Sequence, residues 1–128
     1  MPSVNINFVI VAGCMVKDPE LRKVSGGRVN TEFVIAVNNI HTRKKAPEYI
    51  TILVWQKRAE AVVKHCKKGS NILVKGKIQN DFWVDKNTKE KKRKDKIVAQ
   101  DVCFLSEASK IEAADFESLW NSVEGETY

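Results

Sequence analysis

The stretch EYITILVWQK, at 48–57, carries an aromatic residue near each end of a strand-like segment. Side chains alternate between the two faces of a strand, so Tyr49 and Trp55, six positions apart, point to the same side. An exposed ring there can stack on a nucleobase, which is worth roughly 1–3 kcal/mol per base and tolerates any base sequence. The lysines and arginines that flank the segment are suited to contact the phosphates of a nucleic acid. The alternative is that Trp55 caps the core at the end of its strand.

A second aromatic pair, Phe82 and Trp83, precedes a basic segment. Neighbouring residues of a strand point to opposite faces, so one of the two is predicted to face inward and the other outward. Trp83 is favoured as the exposed one, because it stands at the root of a predicted hairpin whose 84–96 portion has seven Lys/Arg and three acidic residues. The basic residues of this hairpin that we expect to contact a polyanion are Lys89, Lys91, Lys92, Arg93 and Lys94.

His41 lies in a third basic segment, the predicted loop NNIHTRKKAPE at 38–48. An imidazole can contact a base, although a lone histidine in a loop is more often simply solvated. Its neighbours Arg43, Lys44 and Lys45 are candidates for contacts with a phosphate backbone.

The chain offers no recognisable catalytic set. His41 and His65 have no cysteine or acidic cluster at metal-ligand spacing, and no nucleophile or phosphate-loop motif is present. We therefore predict a non-enzyme without metal or cofactor. Cys14, Cys66 and Cys103 lie far apart, which is typical of buried thiols in a reducing compartment. The N-terminus also lacks the basic start of a signal peptide, so a cytoplasmic, nucleoid-associated protein is expected.

Charge is divided unevenly along the 128 residues. Residues 1–105 have 21 Lys/Arg and 10 Asp/Glu, a net charge of +11, whereas residues 106–128 have one Lys and six acids, a net charge of −5; together they give the formal +6. A basic body favours a polyanionic partner, and an acidic tail can compete with it. We expect one domain at 1–105 and an acidic tail at 106–128, in which apolar positions 116, 119, 120 and 123 predict a short helix.

Five apolar segments are predicted to be strands, at 7–12, 31–37, 49–55, 71–78 and 97–105. In the third, Ile50, Ile52 and Val54 form the core side. Gly13 is expected to end the first strand and Gly76 to mark a bulge or bend in the fourth.

One helix is predicted between the third and fourth strands. Ala59, Val62, Val63 and Cys66 recur at i, i+3, i+4 and i+7, the spacing of one helix face, and Gly69 is expected to stop the helix. Five strands with a helix at this point are the order of an OB-fold barrel, a mainly β architecture that often binds oligonucleotides.

Several motifs in consistent order resemble bacterial-type single-stranded DNA-binding proteins. These are GCMVKDPELR at 13–22, FVIAVN at 33–38, EYITILVWQKRAE at 48–60, KKGSNILVKGKIQ at 67–79 and IVAQDVCFL at 97–105. The resemblance implies an OB fold, a homotetramer and single-stranded DNA wrapped around aromatic residues. The family's stacking positions fall on Tyr49, Trp55 and Trp83 and on or beside His41, and its phosphate contacts fall on Lys44, Lys57 and Lys68.

The sequence departs from the family pattern at four points. Histidine replaces the family's tryptophan at or beside 41, and Gln56 stands where the family commonly has glycine. Basic positions before the third tryptophan are Gln79, Asp81 and Phe82 here, so charge is expected from 89–94 instead. The tail ends EGETY, without the long linker and the Ile-Pro-Phe tip through which the family recruits replication and repair proteins; a phage, plasmid or otherwise specialised member would fit.

We therefore predict sequence-independent binding and protection of single-stranded DNA during replication, recombination and repair. Stacking is expected on Tyr49, Trp55 and Trp83, with Phe82 and His41 as further candidates. Two alternatives remain open at this point: a primosome-type OB adaptor that acts mainly through protein partners, and an RNA-binding OB domain.

Overall fold

The computed structural model describes residues 3–38 and 46–105. Its elements in chain order are β1 (Val9–Met15), β2 (Arg22–Lys23), a 3-10 turn (Ser25–Gly27), β3 (Val29–Val37), β4 (Glu48–Trp55), α1 (Gln56–His65), β5 (Asn71–Val84) and β6 (Lys91–Leu105). The five predicted strands and the helix between the third and fourth are confirmed, and the two-residue β2 is an addition. β5 and β6, with 14 and 15 residues, extend well beyond the lengths expected from the sequence.

Five of the strands close into a ring. The order in the sheet is β1-β5-β6-β4-β3-β2, and β1 pairs with β3 as well, so β1, β5, β6, β4 and β3 form a barrel. All neighbours are antiparallel except β4 and β6, which pair in parallel through Ile52–Ile97 and Leu53–Val98. This closed ring with its single helix is the OB-fold architecture.

The barrel interior is filled by alternate residues of each strand. Ile35, Ile52, Val54, Ile72 and Val74 are fully enclosed, and each large aliphatic side chain buried in this way contributes about 1.5–3 kcal/mol. Ile50 packs against the same cluster from a partly buried position. The predicted core side of β4 is therefore confirmed.

Two glycines allow strands to approach closely. Gly76 lies at a register shift between β5 and β6, where a Cβ would collide with the Val98 carbonyl oxygen, so the predicted bulge is confirmed. Gly13 does not end β1, as the sequence suggested, but lies inside it. A Cβ at Gly13 would come within 2.5 Å of the Ala36 carbonyl oxygen, so glycine is needed for the contact between β1 and β3.

The helix α1 packs its predicted apolar face on the barrel, with Ala59, Val62 and Cys66 buried. It ends four residues before Gly69, so the expectation that Gly69 stops it is wrong. Cys66 closes the last turn by donating its N–H to the Val62 carbonyl. Gly69, at φ +92°, forms the following turn instead. Within the described ranges, no helix is long and apolar enough to span a membrane.

Two of the sequence motifs meet at one corner of the barrel. The Asp18 carboxylate of DPELR accepts the Lys68 backbone N–H at 2.6 Å, and Gly69 donates its N–H to the Met15 carbonyl at 2.9 Å. Pro19 is buried beside them. These contacts fix the turn that leads into β5, which explains why the two motifs occur together.

Candidate nucleic-acid interface

The outer face of β4 carries the first two predicted stacking residues. Tyr49 is 66% exposed, whereas Trp55 is half-buried and lies outside the core cluster. They pair across to Ala36 and Asn30 of β3. Six strand residues separate the two aromatic side chains by roughly 20 Å. The outer face of β4 therefore presents two aromatic residues at spacing suited to an extended polymer.

Trp83 lies on the same face of the sheet as Tyr49 and Trp55. Leu53 pairs with Val98 of β6, and alternate residues from Val98 back to Lys92 share its side. Trp83 is directly opposite Lys92 on β5. The sheet register therefore brings the three aromatic residues predicted to stack, Tyr49, Trp55 and Trp83, onto one surface, which we call the aromatic face.

The paired residues 79–96 form a hairpin arm, because among the described residues neither strand pairs with a third strand beyond Lys77. Phe82 lies on the face of this arm that continues the barrel interior, opposite Arg93. It is nevertheless 71% exposed, more than Trp83 at 47%. The two rings do lie on opposite faces, as predicted. The expectation that Trp83 is the exposed one of the pair is wrong, since the arm has left the barrel and both of its faces meet solvent.

Trp55 has a cationic partner that the sequence did not indicate. The Arg28 guanidinium carbon lies 4.8 Å from the centroid of the Trp55 ring, within the range of a cation–π contact. Two consecutive glycines, Gly26 and Gly27, indicate only a turn before Arg28, and nothing in the spacing points to Trp55. The contact depends on the pairing of β3 with β4, which the sequence alone does not show.

A carboxylate lies in the middle of the aromatic face. Glu32 of β3 is opposite Leu53, between Tyr49 and Trp55 along the sheet. Its oxygens lie 3.8 Å from the Lys94 ammonium and 3.9 Å from that of Lys96. These lysines belong to β6 on the far side of β4, so the ion pairs cross over β4. That crossing accounts for Leu53, which points outward and is yet only 5% exposed.

The two lysines of this bridge differ in how far they are enclosed. The Lys96 side chain is 12% exposed and also bonds Asp81, whereas that of Lys94 is 47% exposed. The hydrogen bond from Lys96 keeps the pKa of the Asp81 carboxyl below its usual value, since the bond favours the charged form. Arg22 approaches Glu32 from the other side at 4.0 Å. Lys96 is therefore a structural cation, and Lys94 is the accessible one.

The tip of the hairpin arm is a hydrogen-bonded turn followed by basic residues. The Asp85 carboxylate accepts the N–H of Asn87 at 2.8 Å, and the Asp85 carbonyl accepts the N–H of Lys89, which has a φ of +58°. Lys89 and Lys91 form no ion pair with the described part of the chain, and both are exposed. Lys92 pairs with Glu90 at 3.4 Å.

Arg93 lies on the Phe82 side of the arm and is paired twice with Asp95 at 2.9 Å. This bidentate contact raises the pKa of Arg93 and lowers that of Asp95. Of the predicted cations on the arm, Lys92 and Lys94 thus share the aromatic face, and Arg93 is already neutralised.

The remaining predicted contacts are spread over the molecule. Lys57 is exposed in the first turn of α1, just after Trp55, and Lys68 is exposed in the turn before β5, at the opposite end of that strand from the hairpin tip. The other predicted site residues lie outside the described residues: His41, Arg43, Lys44 and Lys45.

No metal-ligand cluster appears in the part of the chain that the structure describes. It contains no group of three His, Cys, Asp or Glu side chains able to bind a metal. Burial raises the pKa of the Cys66 thiol to about 11, so it stays protonated at neutral pH.

Comparisons with known proteins identify a family and several relatives of this chain. The family model described as "Single-strand binding protein family" matches residues 6–105. A single-stranded DNA-binding protein of Borreliella burgdorferi is 30% identical over 125 residues, which cover 91% of this chain and 83% of the relative. Single-stranded DNA-binding protein 2 of Listeria monocytogenes is 33% identical over 125 residues, 95% of this chain and 71% of its own. Single-stranded DNA-binding protein 1 of a Nostoc species is 33% identical over 84 residues, 66% of this chain and 70% of the relative.

Proposed function

Since this chain belongs to the single-strand binding protein family and binds single-stranded DNA, we propose that it does so by stacking bases on Tyr49, Trp55 and Trp83. The observation that carries the proposal is the sheet register that puts these three residues on one face. Rings on a sheet offer flat surfaces to any base, so binding is independent of base sequence. Phe82 and His41 are proposed as further contacts.

Phosphates are proposed to follow the cations around the aromatic face. Lys89, Lys91, Lys92 and Lys94 lie along the hairpin arm. Lys92 is directly opposite Trp83 in the pairing of β5 with β6, and Lys91 and Lys94 lie close to it on the same strand. Each phosphate contact on a single strand adds about 0.7 to the slope of log affinity against log salt. The remaining proposed contacts are Lys57, Lys68, Arg43, Lys44, Lys45 and Arg93.

The proposed role is non-catalytic: protection of single strands during replication, recombination and repair, in the cytoplasm with the nucleoid. The family name and the names of the relatives describe binding rather than a reaction. Residues 1–105 would form the DNA-binding domain. Residues 106–128, with a net charge of −5, would contact replication or repair proteins or compete with DNA for the basic surface.

We propose that the protein forms a homo-oligomer, most simply a tetramer, through its N-terminal segment. Val4, Ile6 and Phe8 alternate along this segment and are all exposed. Asn7 fixes the segment against β5, since its side-chain amide donates to the Ile78 carbonyl and accepts the Ile78 N–H, both at 2.8 Å. An exposed apolar stripe on fixed backbone suits a partner subunit. Light scattering should show a smaller species for Ile6→Asp.

Titration with oligo(dT) of several lengths tests the proposed function most directly. Tryptophan fluorescence should fall on binding, because Trp55 and Trp83 stack, and affinity should drop steeply with salt. The occluded length, combined with the mass from light scattering, reports how many subunits one strand contacts. Equal affinity for duplex and single-stranded DNA would contradict the proposal.

The two alternatives from the sequence predict other results in the same assay. An adaptor of the primosome type would give a short occluded length and a dimer. An RNA-binding domain would prefer the matched RNA oligomer in a direct competition. Neither is favoured by the relatives, which are named for single-stranded DNA.

A further inference from the structure

We propose that Arg28 is an additional DNA-contact residue, which binds the phosphate of the nucleotide whose base stacks on Trp55. The starting point is the guanidinium position, 4.8 Å from the centroid of the Trp55 ring. A guanidinium that rests on a ring uses its flat face there, while its N–H groups point outward from its edges. Those edges match the bidentate geometry of a phosphate.

The backbone around Arg28 is fixed on both sides. Its carbonyl accepts the Val24 N–H at 2.9 Å, which closes the tight turn through Gly26 and Gly27. Both glycines have positive φ, +85° and +76°, which lets the chain reverse within three residues. The turn therefore delivers Arg28 to the start of β3.

The next residue, Val29, is held by the residue that follows Trp55 in the chain. The Val29 N–H donates to the side-chain oxygen of Gln56 at 3.4 Å, and Gln56 directly follows Trp55 in the chain. Asn30, two residues after Arg28, pairs with Trp55 across the sheet. Arg28 thus lies over the ring because two separate contacts hold its strand in register with Trp55.

The charge of Arg28 is available to a ligand. Arg22, Arg58 and Arg93 each contact a carboxylate, whereas no ion pair of Arg28 occurs within residues 3–38 and 46–105. Arg28 is also exposed. An unneutralised guanidinium that already rests against a ring loses less side-chain freedom when it binds, so its contact with a phosphate is favoured.

This inference rests on the proposed stacking at Trp55, and the test separates the two. Oligo(dT) affinity is measured over a range of salt concentrations for the intact chain, Arg28→Ala, Arg28→Lys, Trp55→Ala and the double variant. Arg28→Ala should weaken binding several-fold and lower the salt slope by about 0.7, the loss of one phosphate contact. Arg28→Lys should retain the slope, because its charge can still reach the phosphate.

The matched control is Arg58→Ala, which removes the same charge from a guanidinium already paired with Asp101 at 3.5 Å. It should leave the slope unchanged. Loss of Trp55 should reduce the effect of Arg28→Ala, since the ring positions the guanidinium.

Each other outcome overturns one specific claim. Unchanged binding of Arg28→Ala, with Trp55→Ala weakened, contradicts the phosphate contact but leaves the stacking intact. Tighter binding of Arg28→Ala would show that the guanidinium occupies the place of the base, which also contradicts it. Normal binding of Trp55→Ala would instead remove the proposed function at this residue.

Discussion

Trp55 and Trp83 lie on the same face of the sheet but in different surroundings. Trp55 is half-buried in the barrel wall, with Arg28 over its ring and the Glu32 bridge beside it on the same face. Trp83 is 47% exposed on an arm whose strands pair only with each other. Trp55 belongs to a strand that pairs with both β3 and β6. The arm around Trp83 depends on the pairing of β5 with β6 and on the ion pairs of Lys94 and Lys96 with Glu32.

This difference shows how one surface can combine a fixed stacking platform with contacts that adjust to the DNA strand. A platform that is fixed before binding loses little entropy when a base stacks on it. A two-stranded arm is only marginally stable without further packing, so it can adjust to the path of the strand. We therefore expect the wall to set the geometry of binding and the arm to supply adaptable contact and charge.

The largest effects should come from the two tryptophans. Trp55→Ala and Trp83→Ala should each weaken oligo(dT) binding by about 1–3 kcal/mol, through the loss of base stacking. Only Trp55→Ala should also lower the unfolding temperature, since Trp55 alone of the two belongs to the barrel wall. Fluorescence titration and thermal unfolding measure the two properties.

Phenylalanine provides the matched control at each position, because it retains a ring for stacking. Trp55→Phe and Trp83→Phe should lie closer to the intact chain than the alanine variants do. Near-normal affinity of both alanine variants would assign these residues to packing alone. Equal loss of stability in both would abolish the distinction between wall and arm.

The next effect separates the lysines at the tip of the arm from the enclosed lysine at its base. Replacing both Lys89 and Lys91 by Gln should lower the salt slope by about 1.4, two phosphate contacts at about 0.7 each. Lys96→Gln should hardly change the slope, because its ammonium is 12% exposed and paired with Glu32 and Asp81. It should lower stability instead, since Asp81 loses its partner.

The salt dependence of oligo(dT) affinity, measured alongside denaturant unfolding, decides this point. A slope that responds to Lys96 and not to Lys89 and Lys91 would contradict the proposed roles of these lysines. A slope that responds equally to all three would show that the ion pairs of Lys96 open when DNA binds.

A smaller effect should follow from removing the carboxylate of the aromatic face. Glu32→Gln releases Lys94, whose ammonium lies 3.8 Å from Glu32, and makes it available to a phosphate. Affinity should rise a few-fold at low salt, with a slope steeper by about 0.7. Electrophoretic mobility shift at two salt concentrations is sufficient to detect it.

Glu60→Gln is the control, because it makes the same charge change at an exposed position of α1. An equal gain in both variants would mean that only net charge matters. Weaker binding of Glu32→Gln would mean that Glu32 positions its lysines for DNA instead of competing with it.

Local patterns predicted much of this molecule. The alternation of Ile50, Ile52 and Val54 identified the core side of β4, and the i, i+3, i+4 spacing identified the buried face of α1, because both patterns follow from side-chain direction alone. The common face of Tyr49 and Trp55 has the same origin. Placing Trp83 on that face required the parallel pairing of β4 with β6, which no local pattern encodes.

What the sequence missed depends on contacts between distant strands. Glu32 and Lys94 meet across β4, and Arg28 meets Trp55 across the pairing of β3 with β4. Gly13 looked like a strand end because its close approach to Ala36 cannot be read from its neighbours. Trp83 was expected to be the more exposed of the pair because the sequence does not reveal where the barrel ends and the arm begins.

The smallest expected effect concerns Gln56, the residue that follows Trp55. It stands where glycine is common in the family, and the structure gives the reason for glycine there: φ is +56°, in the left-handed region. Gln56 accepts that strain and contributes the acceptor for Val29 N–H at 3.4 Å, a long bond. The backbone strain at Gln56 therefore lowers the stability of the fold, whereas its hydrogen bond to Val29 raises it.

Two variants separate the strain from the hydrogen bond. Gln56→Ala removes the bond and keeps the strained φ, whereas Gln56→Gly removes both, so the glycine variant should be more stable than the alanine variant by about 1 kcal/mol. Denaturant unfolding of the two measures the difference. Because both lack the Val29 contact, they should share any loss of the Arg28 contribution to DNA binding. Equal stability would mean that residue 56 has left the left-handed region, and the wall would then not fix Trp55 in the way that distinguishes it from Trp83.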